Sequence, residues 1–157
     1  MSDTARVLVV DDDANILKTF SELLRDAGYV VDTAENGKGA IEKSNANFYN
    51  LAFIDIRLPD MEGTKLLTAL KKTTPKMVKI IVTGYPSLQN AVEAVNKGAD
   101  AYIIKPAKPE ELLNTVAEHL REQEEAREYS EQKVKEYIET RFSKLQADEK
   151  QSSTKQR

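Results

Sequence analysis

Five short, largely β-branched apolar runs are spaced along this chain, and four of them end on a residue suited to phosphate or a hard metal ion. Val7-Leu8-Val9-Val10 runs into Asp11-Asp12-Asp13, and Leu51-Ala52-Phe53-Ile54 runs into Asp55. Ile80-Ile81-Val82 runs into Thr83-Gly84, and Tyr102-Ile103-Ile104 into Lys105-Pro106; only Val30-Val31 lacks such an ending. Helical patterns lie between them. Ile16, Phe20, Leu23, Leu24 and Ala27 share a helix face that stops at Gly28, and Ala40-Ile41 sits in a weaker segment after Asn36-Gly37. Leu66, Leu67 and Leu70 mark a third helix opened by Gly63-Thr64, while Ala91, Val92 and Val95 mark a fourth closed by Gly98. Leu112, Leu113, Val116 and Leu120 mark a fifth, begun by Pro109-Glu110-Glu111, where acids suit the helix dipole. This alternation specifies a doubly wound α/β domain whose parallel sheet is covered on both faces. Ligands of such sheets bind outside the carboxyl ends of the strands, so the acids, the hydroxyl and the ammonium are expected to converge on one pocket.

At 157 residues the chain holds one domain and a remainder. A domain over residues 1–120 is long enough to bury a core without disulfides. The net charge of −3 argues against nucleic-acid binding, and the absence of cysteine excludes disulfides, thiol catalysis and thiolate metal sites. No long apolar region follows Met1, and no run approaches the roughly 18 apolar residues of a membrane span. A soluble, cytoplasmic protein without membrane insertion is expected. Composition changes at Arg121. Residues 121–133 hold no aliphatic residue larger than alanine, and then Val134, Ile138, Phe142 and Leu145 form one stripe of a helix. Residues 121–147 are therefore expected to be a helical extension for dimerisation or partner binding, and the polar, aperiodic residues 148–157 a disordered tail.

The acids have a definite chemistry. A hard divalent ion such as magnesium takes oxygen ligands and keeps several waters, and Asp11, Asp12 and Asp55 can supply carboxylates to it. Helix capping accounts for only one acid of the first cluster, Asp13 being the natural choice. Asp55 is placed to attack phosphorus and form an aspartyl phosphate, Lys105 to pair with a phosphoryl oxygen, and Thr83 to donate its hydroxyl to another. A capping Asp, a solvated lysine and a strand-ending threonine are the plain structural roles for the same residues. His119, the only histidine, has no partner for metal binding and reads as a surface helix residue.

Residues 5–120 resemble the receiver domain of two-component response regulators. The resemblance rests on Val9-Val10-Asp11-Asp12-Asp13, Ile54-Asp55-Ile56-Arg57-Leu58-Pro59-Asp60-Met61-Glu62-Gly63, Val82-Thr83-Gly84-Tyr85 and Gly98-Ala99-Asp100-Ala101-Tyr102-Ile103-Ile104-Lys105-Pro106, in matching order and spacing. The Thr-Gly-Tyr and Ala-Val-Glu-Ala pieces are most similar to NtrC-type receivers. The resemblance implies a flavodoxin-like five-stranded sheet of order 2-1-3-4-5 with an extended fifth helix. It implies Asp55 as phosphoacceptor from a sensor histidine kinase. Magnesium, with manganese able to substitute, would be held by Asp12 and Asp55, by Asp11 through water and by the Arg57 backbone carbonyl. Lys105 and Thr83 would hold phosphoryl oxygens, Thr83 and Tyr102 would be the switch pair, and the Lys105–Pro106 bond would be cis. Asp100 is followed by Ala101 where the family often has a second acid, which weakens the case for a dimer held by that acid's salt bridges.

Arg57 and Tyr85, each two residues beyond a site residue, are expected at the mouth of the pocket, tuning the lifetime of the phosphorylated state. The 37 residues after Leu120 carry nine basic and nine acidic residues, too few and too neutral for a DNA-binding domain. The expectation is a receiver-only phosphoprotein that promotes its own phosphoryl transfer and autodephosphorylation and is not a stand-alone enzyme. Its output would pass to a downstream protein target, a phosphotransfer protein or a homodimer, through the fourth helix, fifth strand and fifth helix. The alternative is a phosphate-independent adaptor or dimerisation module with a receiver fold. An aspartate-based phosphohydrolase needs a second acid where Arg57 stands, and a nucleotide site needs a glycine-rich loop that is missing.

Overall fold

The computed structural model describes the backbone of residues 4–155 and the side chains of residues 4–151. Its elements alternate as β1 (Arg6–Val10), α1 (Ala14–Asp26), β2 (Val30–Ala34), α2 (Gly37–Ala46), β3 (Leu51–Ile54), α3 (Gly63–Ala69), β4 (Val78–Thr83), α4 (Leu88–Asn96), β5 (Ala101–Ile104) and α5 (Pro109–Lys155). All strands pair in parallel, in the order β2-β1-β3-β4-β5. The expected architecture is the observed one. Strand order reverses at β1, so the ends of β1 and β3 open side by side at the switch point.

Alternating side chains of one strand feed opposite faces of the sheet. On one face Val7, Val9, Phe53, Ile80 and Val82 pack with Leu17, Phe20 and Leu24 of α1 and with Leu112 and Val116 of α5. Phe20 meets Phe53 edge to face at 5.9 Å. On the other, Leu8, Val10, Ala52, Ile54 and Ile81 pack with Ala40 of α2, Leu66 and Leu67 of α3 and Ala94 of α4. Each large side chain so buried contributes roughly 1.5–3 kcal/mol. The strands are therefore a rigid platform whose ends hold polar groups in fixed places.

Three local features differ from the sequence expectations. The fourth apolar run begins at Val78, so Lys79 lies inside β4 and is buried. Helix α4 forms where expected, but Val92 and Val95 face solvent and Ala94 is its buried residue. The last helix continues through residues 148–155, where a disordered tail was expected. No Gly or Pro interrupts DEKQSSTK, and prolonging an existing helix avoids the cost of nucleation. Gln156 and Arg157 lie outside the described residues.

The chain divides into two units, Met1–Arg121 and Glu122–Arg157. The first contains the sheet and both cores. Within the second, Val134, Ile138, Phe142 and Leu145 are 57–62% exposed, and Arg127 bonds Glu124 and Glu131 along the helix surface. None of the described helices is long and apolar enough to cross a membrane.

Candidate functional site

The pocket is built by the residues that succeed the strands. Asp11 lies just beyond β1 and Asp55 just beyond β3, each anchored by its own backbone: Asp11 N donates to Ala34 O (3.1 Å) and Asp55 N to Val10 O (3.0 Å). Asp13 takes the capping role, its Oδ1 accepting from Asn15 N (2.8 Å) and Ile16 N (3.4 Å). That leaves Asp11 and Asp12 for the pocket. Asp11 Oδ1 accepts from Asp13 N (2.9 Å), which fixes the carboxylate plane.

Lys105 reaches in from the end of β5. Its Nζ lies 2.6 Å from Asp11 Oδ2 and 3.3 Å from Asp55 Oδ2, bridging two carboxylates that come from sequence positions 94 and 50 residues away. Asp11 and Asp55 are 3% and 7% exposed, whereas Asp12 is open to solvent. Burial raises the Asp55 pKa and the nearby Asp11 charge raises it further, with Lys105 opposing. Burial pulls the Lys105 pKa down, but the Asp11 hydrogen bond and the two carboxylate charges outweigh it and hold the ammonium above its ordinary value.

Carboxylate oxygens of Asp11, Asp12 and Asp55 all lie within 4.8 Å of one another. Three carboxylates against one ammonium leave two formal negative charges. The donors are hard oxygens, and one of the three faces water, which suits a small divalent cation that retains part of its hydration. The residues therefore fit magnesium. His119 has no place here: its Nδ1 lies 2.9 Å from Thr115 O on its own helix.

Thr83 ends β4, the strand between β3 and β5, and is fully buried; its Oγ1 accepts from Tyr85 N (3.0 Å) and its carbonyl from Lys105 N (2.8 Å). The Lys105–Pro106 bond is cis, as is Thr74–Pro75. Tyr102 is half-buried on β5 and its hydroxyl donates to Asn90 Oδ1 of α4 at 2.5 Å. Arg57 and Tyr85, named separately by their spacing, meet directly: the guanidinium carbon sits 3.8 Å from the tyrosine ring centroid.

Sequence reasoning missed three positioning residues. Asn90 closes a capping box with Ser87, and its Nδ2 also donates to Tyr85 O (3.0 Å). A bonded path thus runs from the Thr83 hydroxyl through Tyr85 and Asn90 to Tyr102. The Ser87-x-x-Asn90 spacing was the available signal. Asp60 caps α2 from a distant loop, accepting from Gly37 N (2.8 Å) and Lys38 N (2.9 Å), and these bonds hold its carboxyl below the usual range. Gly63 N donates to Ile56 O (2.7 Å), and a Cβ at Gly63 would collide with the Asp55 carbonyl. Only glycine lets α3 start so close to the end of β3.

Residues 7–117 match the response regulator receiver domain family. The chain is 40% identical over 114 residues to the transcriptional regulatory protein ZraR of Klebsiella oxytoca, a match covering 73% of this chain and 26% of that protein. The chain thus spans about a quarter of the length of such relatives. Among solved structures, a CheY-like response regulator receiver domain protein from Methanospirillum hungatei JF-1 is 48% identical with a TM-score of 0.76, covering 79% of this chain and 99% of that one. A response regulator from Burkholderia pseudomallei, solved with a phosphorylated aspartic acid, calcium ion and citrate, is 31% identical with a TM-score of 0.64, covering 69% and 64%. Sheet order, acid cluster and these matches agree: the chain belongs to the response regulator receiver domain family of two-component signalling.

Proposed function

We propose that this chain is a phosphorylation switch in which Asp55 accepts a phosphoryl group from a histidine kinase and passes the change on through protein contacts. The observation that carries this is the Lys105 ammonium held between Asp11 and Asp55 with Asp12 beside them. An Asp55 carboxylate oxygen forms a bond to phosphorus as the donor's nitrogen–phosphorus bond breaks, and the imidazole leaves with that electron pair. Lys105 exchanges its contact with Asp55 for a phosphoryl oxygen, and the Thr83 hydroxyl donates to another. Asp11, Asp12, Asp55 and the Arg57 carbonyl would hold magnesium, which would supply charge neutralisation at the transferring group. The chain is then a phosphoacceptor that aids its own phosphorylation and dephosphorylation rather than a stand-alone enzyme.

Output leaves through α4 and β5. Leu88, Val92 and Val95 on α4 and Ile104 on β5 are exposed apolar residues, Leu88 to 82%, which is the character of a contact surface. Thr83 turning toward a phosphoryl oxygen releases Tyr85 N, and the bonded path through Asn90 carries that change to Tyr102 and the start of α4. Phosphate so shifts a pre-existing equilibrium of this face. The stacked Arg57 and Tyr85 restrict water attack and lengthen the phosphorylated state.

Amide NMR spectra test the switch. With magnesium and a small phosphodonor, Asn90 and Tyr102 resonances are expected to move in the native chain and to stay fixed in Asp55→Asn. Equal movement in both, or none in a chain shown to be phosphorylated, contradicts it.

The exposed Val134, Ile138, Phe142 and Leu145 stripe favours a second activity, a helix–helix contact with another copy. Sedimentation of the full chain and of a chain ending at Arg121 is expected to show a dimer and a monomer, the shorter chain keeping its melting temperature within about 2 °C because both cores lie in the first unit. The same oligomeric state for both overturns the contact.

A further inference from the structure

The amino end of β4 holds a charge cluster that the phosphoryl chemistry does not use. Lys79 interrupts the strand Val78-Lys79-Ile80-Ile81-Val82-Thr83 and is only 8% exposed. Its Nζ donates to Leu67 O of α3 at 2.5 Å, and its backbone N–H donates to Asp100 Oδ2 at 2.9 Å. The residue sits four positions before Thr83, about 13 Å along the strand from the carboxyl end.

Lys79 lines a cleft of about 610 Å³ between the ends of α3 and α4, together with Lys71, Lys72, Lys76 and Lys97. No carboxylate lines that cleft. Acids stand outside that lining: Glu93 pairs with Lys97 at 2.8 Å, and Asp100 takes the Lys79 backbone. Burial is the main cause that lowers the Lys79 pKa, the Lys76 charge adds to it, Asp100 partly opposes, and Lys72 adds a little to the lowering. Lysines beside helix carboxyl ends are ordinary partners of the helix dipole, and that explains those on the rim. Lys79 meets the carboxyl end of α3 in the same way through Leu67 O, but the dipole of one short helix does not account for five lysines lining a single cleft with no carboxylate in that lining.

We propose that this cleft binds a small polyanion bearing two or more phosphoryl groups. Its volume falls within the roughly 300–1,000 Å³ of small-ligand sites. Ammonium groups act as point charges toward phosphate without demanding a planar, bidentate partner, so several can share one multiply charged ligand. A bound anion removes the like-charge repulsion among these lysines, and a concave site suits a ligand that enters rather than a flat protein partner. Inorganic polyphosphate and nucleoside polyphosphates share this chemistry. The site stands whether or not Asp55 is the phosphoacceptor.

Calorimetry of the full chain in metal-free, low-salt buffer, with tripolyphosphate as ligand, tests the proposal. One binding site is expected, weakening at least tenfold in Lys72→Gln/Lys76→Gln and in Lys79→Met, and unchanged within twofold in Lys18→Gln, which removes an exposed lysine of α1 outside both sites. Equal affinity for adenosine triphosphate means that the cleft reads phosphates alone, and tighter binding that a nucleoside adds contacts; either supports the site. No binding by the native chain, retained affinity in either cleft variant, or an equal loss in Lys18→Gln overturns it. Should Lys79→Met fail to fold, the double substitution of exposed lysines decides alone.

Discussion

The two ends of this sheet are built from the same apolar strands yet present opposite charge. At the carboxyl ends, three carboxylates cluster and a single ammonium bridges two of them, both buried. At the amino end of β4, five lysines line one cleft and the acids stand outside its lining. Strand interiors decide only that a sheet forms; the residues at each end decide what it attracts. An excess of buried negative charge draws a cation and the phosphoryl chemistry that cations assist, and an excess of positive charge draws an anion.

The largest expected effect breaks the acid end. Lys105→Gln removes the ammonium shared by Asp11 and Asp55, and its phosphorylation rate with a small phosphodonor should fall about 10²–10³-fold, as for loss of one charge-stabilising donor. A fall of less than threefold means that this lysine does not set the chemistry of that end. Gly63→Ala should cost about 2–3 kcal/mol in urea unfolding, because its Cβ meets the Asp55 carbonyl and the backbone must shift. Native stability in that variant would show that α3 need not approach Asp55 so closely.

Smaller effects sharpen the picture of the pocket mouth. Arg57→Ala and Tyr85→Ala should each speed loss of phosphate by about threefold, and the double variant by no more than the faster single one, since the two side chains are one stacked pair. Multiplying rates would separate them. Asp60→Asn should lower the melting temperature at pH 7. The Asp60 carboxyl is held below its ordinary pKa by the Gly37 and Lys38 N–H groups, so its contribution is present above the unfolded-state value and is lost as pH falls through the folded one. The gap between the two proteins should close in acid; a gap independent of pH would assign the effect to shape instead of charge.

Much of the acid end was legible because the strand-and-terminus pattern repeats four times. Asp11, Asp55, Thr83 and Lys105 each follow an apolar run, and a parallel sheet aligns such endings. Lys79 was missed for the complementary reason. An apolar run read from Ile80 leaves the lysine outside, and only the pairing of Ala52 with Lys79 brings it into β4. Asn90 gains its importance from Tyr102, twelve residues on, which no local pattern reveals. Val92 and Val95 show the limit of periodicity: apolar spacing forecasts a helix, but the same spacing serves a core face or an exposed contact face. The continuation of α5 past Ala147 likewise depends on the helix already formed before it.

The most direct measurement is the intact mass of the chain after incubation with magnesium and a small phosphodonor, set beside Asp55→Asn. One phosphoryl group added to the native chain and none to the variant is the expected result. Addition to both, or to neither while magnesium is bound, would contradict Asp55 as the acceptor.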